Sequence, residues 1–200
     1  MNARSLLAAG MCMVGVVQVG CAHPPCRCEC SGSADVRPAG VPPELQPRTA
    51  VLQSCVFAPV VPGCRSLPVT GATGSHRYLE ERGSEDSDFA KAIDGDRCTM
   101  WNAGDFPPQE IELDLGVTTN VHALVLLPAM LPDGPQVIEI SVWVEGQGWW
   151  RVLRGKLDLQ SNVPVTLRFP QPAAGRRLRI RTLSSPSWAA WLEIVPLQCS

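Results

Sequence analysis

EIELDLG, residues Glu110 to Gly116, alternates strictly. Ile111, Leu113 and Leu115 face one way, and Glu110, Glu112 and Asp114 the other. Successive side chains of a strand point to opposite faces, so this stretch reads as a half-buried β-strand. RRLRIRTL repeats the period, with Leu178 and Ile180 opposed to Arg177, Arg179 and Arg181. VIEISVWVEG places Ile138, Ile140, Val142 and Val144 on one face, and VTLRF offers Val165, Leu167 and Phe169. VHALVLLPA is apolar on both faces and predicts a central strand. GWWRVL and WLEIVPL complete the set, and a single helical turn is expected around DSDFAKAI. Strands of this kind, separated by Gly and Pro, predict an all-β fold, an antiparallel jelly-roll-like sandwich.

Composition agrees. The chain has 200 residues, with 19 Pro and 17 Gly against 4 Phe and 1 Tyr, which favours short strands and turns over long helices. A net charge of -2 supplies no basic field for nucleic acid. There is no internal repeat.

Nine cysteines point to an oxidising compartment or to metal sites. The N-terminus favours the first. A basic Arg4 precedes the apolar run LLAAGMCMVGVVQVG, so residues 1–21 read as an export signal, too short for a convincing membrane span. The ending QVGC resembles a bacterial lipoprotein cleavage site with Cys21 as the lipidated residue, although Gln18 stands where an aliphatic residue is usual. Ordinary cleavage near Ala22 is the alternative. A lipid there would tether the protein to a membrane without spanning it, at the periplasmic or cell surface.

Residues 22–69 read as a disordered Pro/Cys-rich linker, and residues 70–200 as the sandwich. Cys26, Cys28 and Cys30 lack the paired C-x-x-C spacing of a zinc site, and His23 is the only imidazole nearby.

AKAIDGDRCTMWNAGDFPPQEIELDLG, then VHALVLLPAMLPDGPQVIEISVWV, then LRIRTLSSPSWAAWLEIVPL together resemble the discoidin family, also called coagulation factor 5/8 type C domains. The family includes the family 32 carbohydrate-binding modules, and its fold is a galactose-binding-domain-like β-sandwich. The resemblance covers about residues 70 to 198. It implies a structural calcium ion. The ligands would be the backbone oxygens of Lys91, Asp96 and Leu192, the carboxylates of Asp94 and Glu193, and both oxygens of Thr99. Calcium takes six to eight oxygens, carbonyls included. Gly95 would permit the sharp turn. A metal-free loop in which Asp94 caps backbone amides is the alternative. The resemblance also makes Trp101, Trp150 and Trp191 core residues, leaving Trp149 and Trp188 as the better candidates for partial exposure.

Ligands of sugar-binding relatives come from loops at one end of the sandwich. Here those loops hold Glu85, Asp88, Asn102 and Asp105 as hydrogen-bonding candidates, and Phe106 and Met130 as apolar platforms. Galactose-binding members place a histidine, an aromatic and an arginine where this chain has Asn102, Asp105 and Ala129, which argues against galactose. Solvated loop residues are the plain alternative. Arg177, Arg179 and Arg181, with Arg151 and Arg154, form either a basic patch for anionic glycans or phospholipids, or cross-strand pairs with Glu110, Glu112 and Asp114. The pairing is preferred.

No catalytic signature is present. His23, His76 and His122 are scattered, and G-x-S-x-G, Walker and H-E-x-x-H motifs are absent. Asp94 and Asp96 lie two apart in a turn, suited to ligation rather than proton transfer, so no enzyme is expected. Members of the family often join their termini, which implies a Cys64–Cys199 disulfide, with Cys55 an alternative partner for either. Cys98, inside the loop, is either bonded or packed. With Cys12 and Cys21 lost to signal and lipid, an odd thiol remains. The expected function is non-catalytic binding of a glycan or cell-envelope component. A protein–protein adhesion or assembly module is the alternative, and a membrane-lipid binder a third.

Overall fold

The computed structural model describes residues 54–78 and 88–200. The expected signal, Cys21, the cysteines at 26, 28 and 30, and Glu85 lie outside the described residues. Eight strands follow one another: β1 (Cys64–Ser66), β2 (Gly71–Gly74), β3 (Trp101–Asn102), β4 (Gln109–Pro128), β5 (Gly134–Val144), β6 (Gly148–Leu159), β7 (Val165–Ser184) and β8 (Ala190–Cys199). Among the described residues between β2 and β3 lies one 3₁₀ turn, Phe89–Ala92, where DSDFAKAI predicts it.

Two strands of 20 residues each, β4 and β7, organise the sandwich. The first part of β4 pairs with β2 and with Arg177–Thr182 of β7. That part of β7 also pairs with β5, and β5 with the outermost strand β6. The second part of β4 pairs with Val165–Arg168 of β7 and with β8, which takes β1 and β3. All of these pairings are antiparallel. Each long strand therefore crosses from one layer to the other, and register breaks after Asp114 and Val121 mark the crossing in β4. Gly175 sits at this bend because only glycine fits. A Cβ there would lie 2.2 Å from Val142 Cγ2 and 2.9 Å from the Trp143 carbonyl oxygen.

The inward faces form one core. Ile111, Leu113, Leu115, Ile138, Ile140, Leu178 and Ile180 from the first layer meet Leu124, Leu126, Leu167 and Ile194 from the second, with Trp101 and Trp191 fully buried among them. The period-two reading of these strands is what the structure has. The second part of β4 is buried on both faces, as a central strand should be. Its outward Ala123, Val125 and Leu127 are covered by Phe57 and Val61.

That cover corrects the linker boundary. Residues 54–69 belong to the folded unit. Proline content keeps most of the stretch out of the ladder, but β1 pairs with β8, and two disulfides, Cys55–Cys98 and Cys64–Cys199, hold it down. The terminal pairing is the expected one, and Cys98 is bonded.

Trp150 is also a correction. It lies on the outermost strand opposite Val142, beyond the reach of the second layer, and is 63% exposed. Trp149 is partly buried. Its ring meets Trp143 edge-on at 5.4 Å.

Candidate cation and ligand sites

The loop after the 3₁₀ turn folds around its own oxygens. Asp94 Oδ1 accepts from the Asp96 N–H at 2.8 Å, and Asp96 Oδ1 accepts from the Cys98 N–H at 2.8 Å. The Thr99 hydroxyl has Asp94 Oδ2 at 2.8 Å, the Asp96 carbonyl at 3.0 Å and the Lys91 carbonyl at 3.4 Å. A hydroxyl carries one proton, so it satisfies one of those three acceptors at a time.

Glu193 closes the cluster from β8. It is 1% exposed, and its Oε1 has no hydrogen-bond partner. Burial, and then the neighbouring Asp94 carboxyl, push Glu193 up to about 8, against the Gly95 and Asp96 N–H groups that lower it. Lys91, Asp94, Asp96, Thr99 and Glu193 thus come together as an oxygen-rich, donor-poor cluster, while Leu192 directs its side chain to the opposite face among Leu127, Ala129 and Ala190. A hard cation is the group such a cluster fits. Among the described residues, one other set of metal-ligating side chains lies close together, Cys55, Asp96 and Cys98, and its two thiols are spent in a disulfide.

The ligand candidates meet different fates at the loop end. Asn102 is 7% exposed, and its Oδ1 accepts from the Gly104 N–H at 2.8 Å, so its side chain builds the loop. Met130 is 4% exposed and belongs to the core, because the strand leading to it is buried on both faces. Asp88 caps the 3₁₀ turn through the Ala90 N–H and pairs with Arg77 at 3.3 Å. Asp105 and Phe106 remain at the surface, Phe106 60% exposed. Tyr78 and Leu131, which sequence reasoning missed, are exposed at the same end. Tyr78 packs on Gly104, and the Leu131 N–H donates to Ser187 Oγ. The apolar residue after LPAM was the available signal for Leu131. Nothing short of the fold brings Tyr78 to residue 104. Hydrogen bonds knit these loops: Ala189 N–H to Asp105 O, Ala103 N–H to Ala189 O, and Ser161 N–H to Asp133 Oδ1.

The arginine face is paired. Glu110, Glu112 and Asp114 stand opposite Arg181, Arg179 and Arg177 in the register. Arg181 reaches Glu110 at 3.3 Å and Glu139 at 3.2 Å, Arg177 reaches Glu112 at 3.7 Å, and Arg151 and Arg154 flank Glu139. Arg179 stacks 4.4 Å above the Trp149 ring. These arginines pair across strands, five of them sharing the three carboxylates Glu110, Glu112 and Glu139.

An antiparallel sandwich whose opening loop and closing strand share an oxygen-rich cluster, with loops gathered at one end, defines a discoidin-type domain. The family model described as F5/8 type C domain matches residues 72–194, and the chain belongs to that family. Among solved structures it is similar to the family 32 module of NanJ from Clostridium perfringens, in complex with galactose. Identity is 20% and TM-score 0.57, over 68% of this chain and 99% of that one. It is similar to CpGH89CBM32-5, also from Clostridium perfringens, in complex with GalNAc-β-1,3-galactose, at 22% identity and TM-score 0.57, over 66% and 99%. Chitosan-binding module 1 from a Paenibacillus chitosanase/glucanase aligns at 18% identity and TM-score 0.54, over 66% and 98%. At these identities the likeness is one of fold. No curated protein matches the chain.

Proposed function

We propose that this domain is a non-catalytic glycan-binding module. It engages sugar through Asp105 and Phe106 at the loop end, flanked by Tyr78 and Leu131, and holds calcium between the opening loop and β8. The observation that carries the glycan reading is the exposed Phe106 side chain following an exposed Asp105, whose Oδ1 accepts from the Phe106 N–H at 2.7 Å, on loops tied to their neighbours by hydrogen bonds. A flat apolar face next to an acceptor suits a sugar's C–H face and its hydroxyls. The fold's occurrence in modules solved with galactose and with GalNAc-β-1,3-galactose supports the ligand class. The missing histidine, aromatic and arginine argue for a sugar other than galactose.

Calcium would be held by Asp94, Glu193, Thr99 and the carbonyls of Lys91, Asp96 and Leu192. Its chemistry there is charge neutralisation of two adjacent carboxylates and a clip between the first loop and the last strand. The export signal and Cys21 would carry the module to the cell envelope on a lipid tether.

A glycan array with the calcium-loaded protein tests the reading. Hits that disappear in Phe106→Ala and Asp105→Ala are expected. The runner-up is protein–protein adhesion, favoured by the grouping of Tyr78, Phe106 and Leu131 as exposed apolar side chains at one end. An empty array together with specific capture of an envelope protein through those three residues decides for it.

A further inference from the structure

The cation cluster has two halves. The loop 91–99 brings Asp94, Thr99 and the carbonyls of Lys91 and Asp96, and β8 brings Glu193 and the Leu192 carbonyl. Residues 55–64 run between these halves and are tied to both. At one end Cys55 is bonded to Cys98 inside the loop, the Arg97 N–H donates to the Cys55 carbonyl at 2.7 Å, and the Phe57 N–H donates to the Gly95 carbonyl at 2.8 Å. Val56 and Asp96 form an antiparallel bridge between those bonds. At the other end Cys64 is bonded to Cys199, the last residue of β8, and stands opposite it in the register. In the middle Phe57 packs against the apolar cluster formed by Leu127, Ala129, Ala190 and Leu192. Leu192 is the immediate neighbour of Glu193.

We infer that residues 55–64 form a covalent strap that positions the two halves of the cation site, and that the Cys55–Cys98 bond sets the site's affinity for calcium. The inference rests on the calcium reading above and deepens it. A flexible loop must be ordered when its ligands close on an ion, and that ordering subtracts from affinity. Here Gly95, Asp96 and Arg97, three of the four residues linking the Asp94 and Thr99 ligands, are already paired with residues 55–57. The disulfide returns the chain to Cys98, next to Thr99. Opening it frees the loop from a partner 43 positions away in the sequence and leaves two peptide hydrogen bonds to hold the bridge. The terminal bond Cys64–Cys199 is untouched, as is the core, so a change in affinity is separable from loss of fold.

The test is titration calorimetry of the full chain with calcium chloride, comparing the native protein with Cys55→Ser/Cys98→Ser, with circular dichroism to follow the fold. Calcium binding about tenfold weaker or more in the double variant is expected, because the loop's ordering then falls on the binding step. Equal affinities overturn the strap while leaving the calcium reading intact. Absence of binding to the native chain overturns the calcium reading, and the strap with it. Hydrogen exchange on the native chain serves even where the double variant does not fold. The Phe57 and Arg97 amides should remain protected after chelation. Their release on chelation shows that the ion, rather than the strap, holds the loop, and overturns the proposal.

Discussion

Glu193 on β8, itself buried, lies against the exposed Asp94 of the opening loop, and ionising Glu193 there is costly. Burial and Asp94 raise Glu193 from 4.5 to about 8. A raised folded-state value means that the native state holds a proton that the unfolded chain has already lost. Without calcium, stability is therefore full below about 4.5 and declines as pH rises toward about 8. The denaturation midpoint in excess chelator should fall across that window. Saturating calcium should abolish the fall, because the ion holds the ionised pair. At neutral pH calcium uptake should release about one proton, read as a difference in binding enthalpy between two buffers of unlike ionisation heat. Equal enthalpies, or a flat stability profile in chelator, contradict the pairing.

Glu193→Gln separates the ion from the fold. At a hundredfold excess over Kd, calcium should stabilise the native protein by about 2.7 kcal/mol. For a domain of this size that raises Tm by roughly 5–10 °C. The variant should lose that rise, yet be at least as stable as the chelated native protein above pH 8, because it buries no charge. A variant that keeps the calcium-dependent rise rules Glu193 out as a ligand.

Asp114 and Arg176 make two parallel bonds, at 2.8 and 2.7 Å. Their hydrogen bond, with that from the Gly116 N–H, lowers Asp114 to about 2. A depressed carboxylate stabilises above its unfolded value of 3.8, and the gain is lost as pH falls through about 2. Both side chains are substantially exposed, so screening keeps the effect small. Urea midpoints of Asp114→Asn should match the native protein near pH 2, fall slightly behind it at pH 5, and converge on it again in high salt. A deficit that persists in high salt points to the Gly116 turn instead.

The strand faces were legible in the sequence because each buries one side only. Ile111 and Leu113, or Leu178 and Ile180, have no other reason to alternate with charge, and the matching Glu110–Arg181 and Glu112–Arg179 register follows from it. The continuity of β4 was not legible. Gly116 at φ 76° and exposed Val117 look like a strand end, although the chain merely bends between layers. Met130 was misread for a related reason: a strand buried on both faces continues into its loop, and polarity no longer separates inside from outside. The oxygen-rich loop could be read through the family resemblance, whose motif lies within Lys91 to Thr99. The strap could not, since Cys55 and Cys98 are brought together by tertiary structure, and a proline-rich stretch gives no sign that disulfides will pin it.

Trp150 and Trp191 offer a direct contrast, since the family resemblance makes both of them core residues. Trp191 is 1% exposed at the meeting of β3 and β8, and Trp150 is 63% exposed on the outermost strand. Trp191→Ala should cost about 3–5 kcal/mol in chemical denaturation, by lost burial and the cavity left behind. Trp150→Ala should stay within about 0.5 kcal/mol of the native protein, as surface substitutions do. Similar losses for the two would return Trp150 to the core.

Asn102 and Phe106 are four residues apart and should fail in different ways. Asn102 is buried and spends its side-chain oxygen on the Gly104 N–H. Asn102→Ala leaves that donor unsatisfied and should lower stability by about 1–3 kcal/mol. Any weaker glycan binding in this variant would follow from a displaced Asp105. Phe106 is exposed, and Phe106→Ala should leave Tm unchanged while weakening binding to the best array hit by about tenfold, on the order of 1 kcal/mol for a lost aromatic contact. Melting curves and binding isotherms on the two variants separate the roles. Phe106→Ala that melts early, or binds as the native protein does, removes Phe106 from the ligand site and moves the search to Tyr78 and Leu131.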